Sequence, residues 1–311
     1  MGLEIKIPKF KFPKFKFKEI DDVEDINLEK EKEKTEKNKK DKKQYEGTHY
    51  KTIKDAFNYS TEHYADNVLI LEKPDHKTPY KEITYKEFGE DVINFGTGLT
   101  KFLNLKDERI VIISETTYGW YLSYMTLLCG AGIAVPLDKE LPVNEIENLI
   151  KRSKATAVIY SAKRKDQIDK VKDNVPMVKY FIEMNSYDKV KGRNVGLNNV
   201  LLEGKKLVEA GDDSFKNIEI DPEEFKILFF TSGTTSQSKG VMLCNRNLAE
   251  NINSCSAYVD LKETDRLFSV LPLHHAYESS IGFLYPFGVG ASIAICEGLK
   301  YILPDIKESH P

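Results

Sequence analysis

From Tyr45 onward the chain alternates short apolar runs with segments of helical spacing, and that alternation leaves few folds open. The runs "RIVIIS", "IAVPLD", "ATAVIY", "VKYFIEM", "FKILFFT", "RLFSVLP" and "ASIAI" are continuous apolar stretches. A strand that is apolar at successive positions must bury both of its faces, which happens in parallel sheets covered by helices. Between the runs, "PVNEIENLIKRS" (142–153) places Val143, Ile146, Leu149 and Ile150 on one helical face, with Pro142 near its start. A charged helix is expected over 163–172 and another from about Asn245, whereas 184–224 reads as polar and irregular. The expected fold class is α/β, with parallel-rich sheets covered by helices. Such folds bind ligands at the carboxyl ends of their strands.

The chain has 311 residues, 41% of them apolar, enough for one large domain or two ordinary ones. A net charge of −3 provides no field that would gather nucleic acid, so no nucleic-acid partner is expected. Cys129, Cys244, Cys255 and Cys296 lack disulfide or zinc spacing, which points to reduced thiols, a cytoplasmic protein and no metal site. Two uncharged stretches, 116–137 and 279–296, invite a membrane reading. A spanning helix needs about 20 continuous apolar residues. Gly130 and Gly132 break the first stretch, and Gly282, Pro286, Gly288 and Gly290 break the second. Each reads better as a buried helix, a glycine turn and a buried strand.

The first 46 residues differ from the rest. "KIPKFKFPKFKFK" (6–18) alternates cation and apolar residue, and a run of mixed charge follows to about residue 43. Residues 1–45 hold 14 Lys against 11 Asp and Glu, a net +3, without a core-forming pattern. A disordered, charged tail is expected over 1–46. No secretory signal is recognisable, and Lys6 stands where a myristoylation signal needs Ser or Thr. Phe10, Phe12, Phe15 and Phe17 with their lysines could give weak peripheral contact with an anionic membrane.

The chemistry concentrates in "FFTSGTTSQSKGVMLCNRN", 229–247. After an apolar run, small hydroxyl residues crowd around one glycine and end on Lys239. Consecutive backbone N–H groups in a tight turn make an anion-binding concavity, and Gly233 lets the backbone come close to the anion. Thr231, Ser232, Thr234, Thr235 and Ser236 can add donors, and Lys239 offers a mobile cation to outer phosphates. The loop is not a Walker A motif, because Ser238 and Gly240 stand where that motif needs glycine and a hydroxyl. A GxGxxG dinucleotide fingerprint is absent as well.

"LFFTSGTTSQSKGV" resembles the nucleotide-binding loop of the adenylate-forming (AMP-binding) superfamily, with Ser236 and Ser238 where glycine and proline are more usual. "ITYKEF" (83–88), "LLCGAGIAVPLD" (127–138) and "LPLHHAYESSIG" (271–282) resemble three further segments of that family, in order. The last, with its double histidine and Glu278, is most similar to bacterial long-chain fatty acyl-CoA synthetases. The resemblance covers about 50–311 and implies a partial N-terminal AMP-binding domain over 47–311, with subdomains of about 47–220 and 221–311. It also implies that the adenine-binding segment, the magnesium-binding Glu and a small C-terminal domain would follow residue 311, so that this chain alone would give little or no complete turnover.

The activity implied is ATP-dependent activation of a carboxylic acid, expected to be a fatty acid. A carboxylate does not acylate a thiol at neutral pH, because its oxygen leaves poorly; as a mixed anhydride with AMP it does. ATP, Mg2+ and coenzyme A are the cofactors implied. Thr231, Ser232, Gly233, Thr234, Thr235, Ser236 and Lys239 would hold the β,γ-phosphates, and His275 would lie near the α-phosphate and carboxylate. Tyr277, Glu278 and Phe283 could line the acyl or thiol side. A carrier-protein acceptor and a non-catalytic nucleotide-binding fragment remain as alternatives.

Overall fold

The computed structural model describes residues 45–231 and 238–311; the expected tail up to residue 44 and its membrane-contact segment lie outside the described residues. The strands are β1 (Val68–Glu72), β2 (Lys81–Thr84), β3 (Glu108–Ile113), β4 (Gly132–Pro136), β5 (Ala157–Tyr160) and β6 (Tyr180–Glu183). They continue with β7 (Asn194–Gly196), β8 (Phe225–Thr231), β9 (Lys239–Cys244), β10 (Arg266–Ser269) and β11 (Ser292–Ile295). One sheet has the order β7-β6-β5-β3-β4-β8-β9 and the other β10-β11-β1-β2. All neighbours are parallel except β8 with β9 and β1 with β2. The α/β, parallel-rich expectation holds.

The continuous apolar runs behave as double-sided burial demands. On β3, Ile110 and Ile112 point into one apolar cluster while Val111 and Ile113 point into the other. Alternate side chains of β5 divide the same way: Ala157 and Ile159 go to the first cluster, Val158 and Tyr160 to the second. All of these are at most 1% exposed.

The helices are α1 (Ile53–His63), α2 (Tyr85–Thr97), α3 (Tyr118–Thr126), α4 (Val143–Ser153) and α5 (Lys165–Val171). They are followed by α6 (Leu197–Glu209), α7 (Asn245–Tyr258), α8 (Tyr285–Gly288) and α9 (Ile302–Ser309). Thr52 and Thr84 close capping boxes with Asp55 and Glu87 at the starts of α1 and α2. Helix α4 begins just after Pro142 and ends at Lys154 in the left-handed region. Both uncharged stretches fold as helix, glycine turn and buried strand, with Gly130 at φ 117° and Gly290 at φ 84° making the turns. Among the described residues no helix is long and apolar enough to cross a membrane.

One expectation needs correction. The stretch 184–224 is not irregular: it contains β7 and all of α6. Gly204 disguised that helix, because a mid-helix glycine reads as a breaker, yet here it permits close packing. A Cβ at Gly204 would stand 1.9 Å from the Asn94 carbonyl oxygen on α2. The expected helix from about Asn245 is present as α7, and a strand, β9, precedes it, so the loop joins two antiparallel strands. Strand pairing also runs across residue 220: β8 and β9 join β3–β7, while β1 pairs with β11 on one side and with β2 on the other.

Replacing Gly204 with Ala therefore forces α6 away from α2. A loss on the order of 3 kcal/mol is expected in urea melts, and a change within 0.5 kcal/mol would show that the two helices are not in backbone contact.

Candidate functional site

The hydroxyl loop is carried at the carboxyl end of β8, and Thr231 lies opposite Lys239 in the β8–β9 register. Ser232, Gly233, Thr234, Thr235 and Ser236 lie outside the described residues; Thr231 and Lys239 are both exposed at the hairpin end. Lys239 is the first residue of β9 at that hairpin end. Two residues of α4 hold the returning end of the loop. The Arg152 guanidinium donates to the Ser238 carbonyl at 2.7 Å and lies over the Phe230 ring, 5.5 Å from its centre. The Ser238 hydroxyl reaches Glu145 Oε1 at 3.4 Å. Sequence reasoning missed Arg152 and Glu145, because they lie 86 and 93 residues from Ser238 and no local pattern connects them.

A second loop leaves β10 and carries the two histidines. Their rings are 4.1 Å apart, centre to centre, with His275 exposed and His274 half-buried. His274 Nε2 stands 3.7 Å from Asp138 Oδ2, two residues past β4. Strand β4 is the neighbour of β8 in the sheet, so the strand end beside the hydroxyl loop also receives the histidine loop. Burial lowers the His274 pKa to about 4, assisted by His275 and Lys139 and opposed by Asp138. At neutral pH that imidazole is uncharged, and its contact with Asp138 is not an ion pair. Tyr277 is 65% exposed and faces out, whereas Glu278 is only 6% exposed. Phe283 is fully buried against Tyr121, with ring centres 4.7 Å apart, so it belongs to the core.

Beside the histidine loop lies a cleft of about 650 Å³ that Leu271 and Pro272 help to line. Glu72, Glu115, Lys139, Ser161, Ser269 and Glu297 also line it, each at or just past the carboxyl end of a strand. It is the crevice where doubly covered sheets hold ligands. Its charges are mostly engaged. Burial opposes ionisation of Glu115, but the Ser161 hydroxyl at 2.5 Å and Arg164 at 3.1 Å outweigh it and hold the pKa below the ordinary carboxylate value. Glu72 is pushed the other way by burial while accepting the Tyr118 N–H at 2.7 Å. The lining is mixed, with Val270, Leu271, Ile295 and Leu299 beside these polar groups. Among the described residues no group of three His, Cys, Asp or Glu side chains could hold a metal ion, so no step is assigned through Mg2+.

His274 makes stability depend on pH in one direction. An unfolded imidazole takes up its proton near pH 6.5, while the folded one resists until about pH 4. Its contribution is thus intact above pH 6.5 and is lost as the pH falls toward 4. His274→Phe keeps a ring and removes the titration, so denaturant melts of the variant should show a flatter decline over that window. An equally steep decline would mean that His274 is not its source.

The sequence profile of the AMP-binding enzyme family matches residues 57–310. The chloroplastic long-chain-fatty-acid–acyl-carrier-protein ligase AEE15 of Arabidopsis thaliana is 27% identical over 281 residues, covering 84% of this chain and 37% of its own length. The long-chain-fatty-acid–CoA ligase 5 of Rattus norvegicus is 28% identical over 254 residues, with coverages of 78% and 37%. Among solved structures, the long-chain-fatty-acid–CoA ligase FadD1 of Archaeoglobus fulgidus superposes with a TM-score of 0.71 at 19% identity, covering 86% of this chain and 51% of its own. The anthranilate CoA ligase AuaEII, in complex with anthranoyl-AMP, gives 0.71 at 18% identity, covering 84% and 48%. This chain spans little more than a third of the length of those curated relatives. Because the family profile matches residues 57–310, most of its length, the chain belongs to the AMP-binding enzyme family.

Proposed function

We infer that this chain forms the phosphate- and carboxylate-handling part of an acid–thiol ligase that activates a fatty acid with ATP. The observation that carries the reading is the hydroxyl loop, presented between Thr231 and Lys239 beside the strand end that receives the histidine loop. In the first half-reaction a carboxylate oxygen attacks the α-phosphorus, the bond to the bridging oxygen breaks, and pyrophosphate leaves. In the second a thiolate attacks the acyl carbon and AMP leaves. The transferred group brings its own reactivity, so the protein's task is positioning and charge neutralisation.

Each residue then has a defined part. Thr231, Ser232, Gly233, Thr234, Thr235 and Ser236 donate hydrogen bonds to the β,γ-phosphates, and Lys239 follows the departing pyrophosphate with its charge. Arg152 and Glu145 hold Ser238, where the loop returns to β9. His275, exposed on its loop, donates to an oxygen of the carboxylate or α-phosphate. When bound, Mg2+ would neutralise phosphate charge from ligands that include the phosphates themselves. Coenzyme A is the thiol in most of the named relatives, and a long-chain acid is the substrate in their names. A phosphopantetheinyl carrier protein is the second reading of the acceptor, favoured by the name of the Arabidopsis ligase.

Two measurements test this. Lys239→Ala removes a charge-assisted phosphate contact and should weaken ATP binding by roughly 10- to 100-fold in calorimetry, or about 1.5–3 kcal/mol; unchanged binding would take Lys239 out of the site. Pyrophosphate exchange by the whole protein should depend on fatty acids of a preferred length. Exchange only with aryl or amino acids would defeat the fatty-acid reading, and comparing coenzyme A with a carrier protein would fix the acceptor.

A further inference from the structure

We propose that Ser269 and Glu278 are positioning residues which clamp the two ends of the histidine loop together and so fix where His274 and His275 stand. The functional weight of the clamp rests on the reading of those histidines as site residues. Its geometry does not. Ser269 is the last residue of β10, and Glu278 is the first of a π-helical segment, Glu278–Leu284, that runs into α8. The Ser269 hydroxyl donates to Glu278 Oε1 at 2.7 Å, joining positions nine residues apart in sequence. Tyr121 on α3 donates its own hydroxyl to Ser269 Oγ at 2.9 Å, which ties the closed loop to a helix of the core. Tyr121, Ser269 and Glu278 are 0%, 2% and 6% exposed.

The loop between the clamp points has little else to hold it. Leu273 is its one buried apolar residue, whereas Leu271 and Tyr277 are 47% and 65% exposed. Within the loop, the His275 N–H donates to the Pro272 carbonyl at 3.1 Å, and the Ser279 N–H and hydroxyl both donate to the His275 carbonyl at 3.1 Å. Those bonds shape the turn locally. Only the Tyr121–Ser269–Glu278 chain attaches both of its ends to the body of the fold through side-chain hydrogen bonds among the described residues.

Glu278 is an expensive way to close a loop, which suggests a specific purpose. Its carboxyl is buried without a cation partner among the described residues, and burying an unpaired carboxylate is costly. Burial raises its pKa and the Ser269 hydrogen bond partly offsets the rise. The backbone accommodates it: a Cβ at Gly282 would lie 2.5 Å from the Glu278 carboxyl carbon, so a side chain there would displace the carboxyl from its place. π-Helical turns of this kind are frequent at functional sites. The Glu278 carboxyl is buried and bonded to Ser269. It acts through Ser269 on the position of the histidines.

The test is a proton-titration experiment on this chain with labelled histidine, followed by NMR. Asp138, His275 and Lys139 are the charged and titratable groups that face His274. In the wild type His274 should titrate near pH 4. In Ser269→Ala and Glu278→Ala the loop loses its closure, and His274 should move up toward the ordinary value of 6.5 as its ring becomes solvated. Glu278→Gln retains an acceptor for Ser269 at the same size and should behave as wild type. Folded alanine variants that leave His274 near 4 overturn the proposal, and so does a wild-type His274 already at 6.5. If the alanine variants do not fold, Tyr121→Phe deletes only the outer hydroxyl of the chain; it should still raise the His274 midpoint, and an unmoved midpoint overturns the clamp. Because the titration needs no ligand, failure of ATP to bind would defeat the proposed function and leave the clamp standing. In whole protein that turns over, Ser269→Ala should lower kcat for adenylation roughly 10- to 100-fold with little change in KM for ATP.

Discussion

Burial of the central strands on both faces is the constraint from which the rest of the molecule follows. Strands β3 and β5 send alternate side chains into two separate apolar clusters, and neither face can be left to water. Helices must therefore cover both sides, and their approach is close enough that Gly98 and Gly204 have backbone atoms where a Cβ would stand. With the faces closed, polar chemistry has room only at the strand ends. The cleft lined by Glu72, Glu115, Ser161, Ser269 and Glu297 occupies that position.

Two loops from different sheets leave strand ends here, each fixed by a different device. The hydroxyl hairpin belongs to the seven-stranded sheet and is braced by Arg152 and Glu145 on a helix over it. The histidine loop belongs to the four-stranded sheet, and its contact with Asp138 reaches across to the end of β4. A charged helix residue suffices for the first, because the hairpin already has a register of backbone bonds behind it. The second has no such ladder, and it is held by a short chain of buried hydroxyls ending on a carboxyl. That difference accounts for a polar network in one place and a surface brace in the other.

The charge state of the site follows from burial more than from its net composition. His274 is kept neutral near neutral pH although Asp138 is close, because burial outweighs the single carboxylate. Glu115 and Glu72 show the opposite outcomes for two carboxyls of one cleft, the first held low by Ser161 and Arg164 despite its burial, the second pushed up by desolvation. A neutral imidazole next to an exposed one leaves His275 as the histidine that can meet an incoming oxygen.

By itself the sequence determined the fold class and seven of the eleven described strands, and it singled out the hydroxyl loop proposed to handle phosphate. Continuous apolar runs can be satisfied only by double-sided burial, and a glycine among small hydroxyls with a following lysine has few other uses. Helix α6 escaped that reading because Gly204 signals a break locally, and only the carbonyl of Asn94, brought alongside by packing, explains why a helix keeps it. Tertiary structure alone decided that the hydroxyl loop is a hairpin, that Arg152 braces it, and that Glu278 turns inward while Tyr277 next to it faces water. Those features depend on contacts between residues far apart in sequence, or on which side of a distorted helix a side chain leaves, and neither is encoded in composition or period. The residue types suggested the chemistry, and the packing of two sheets decided where those residues stand.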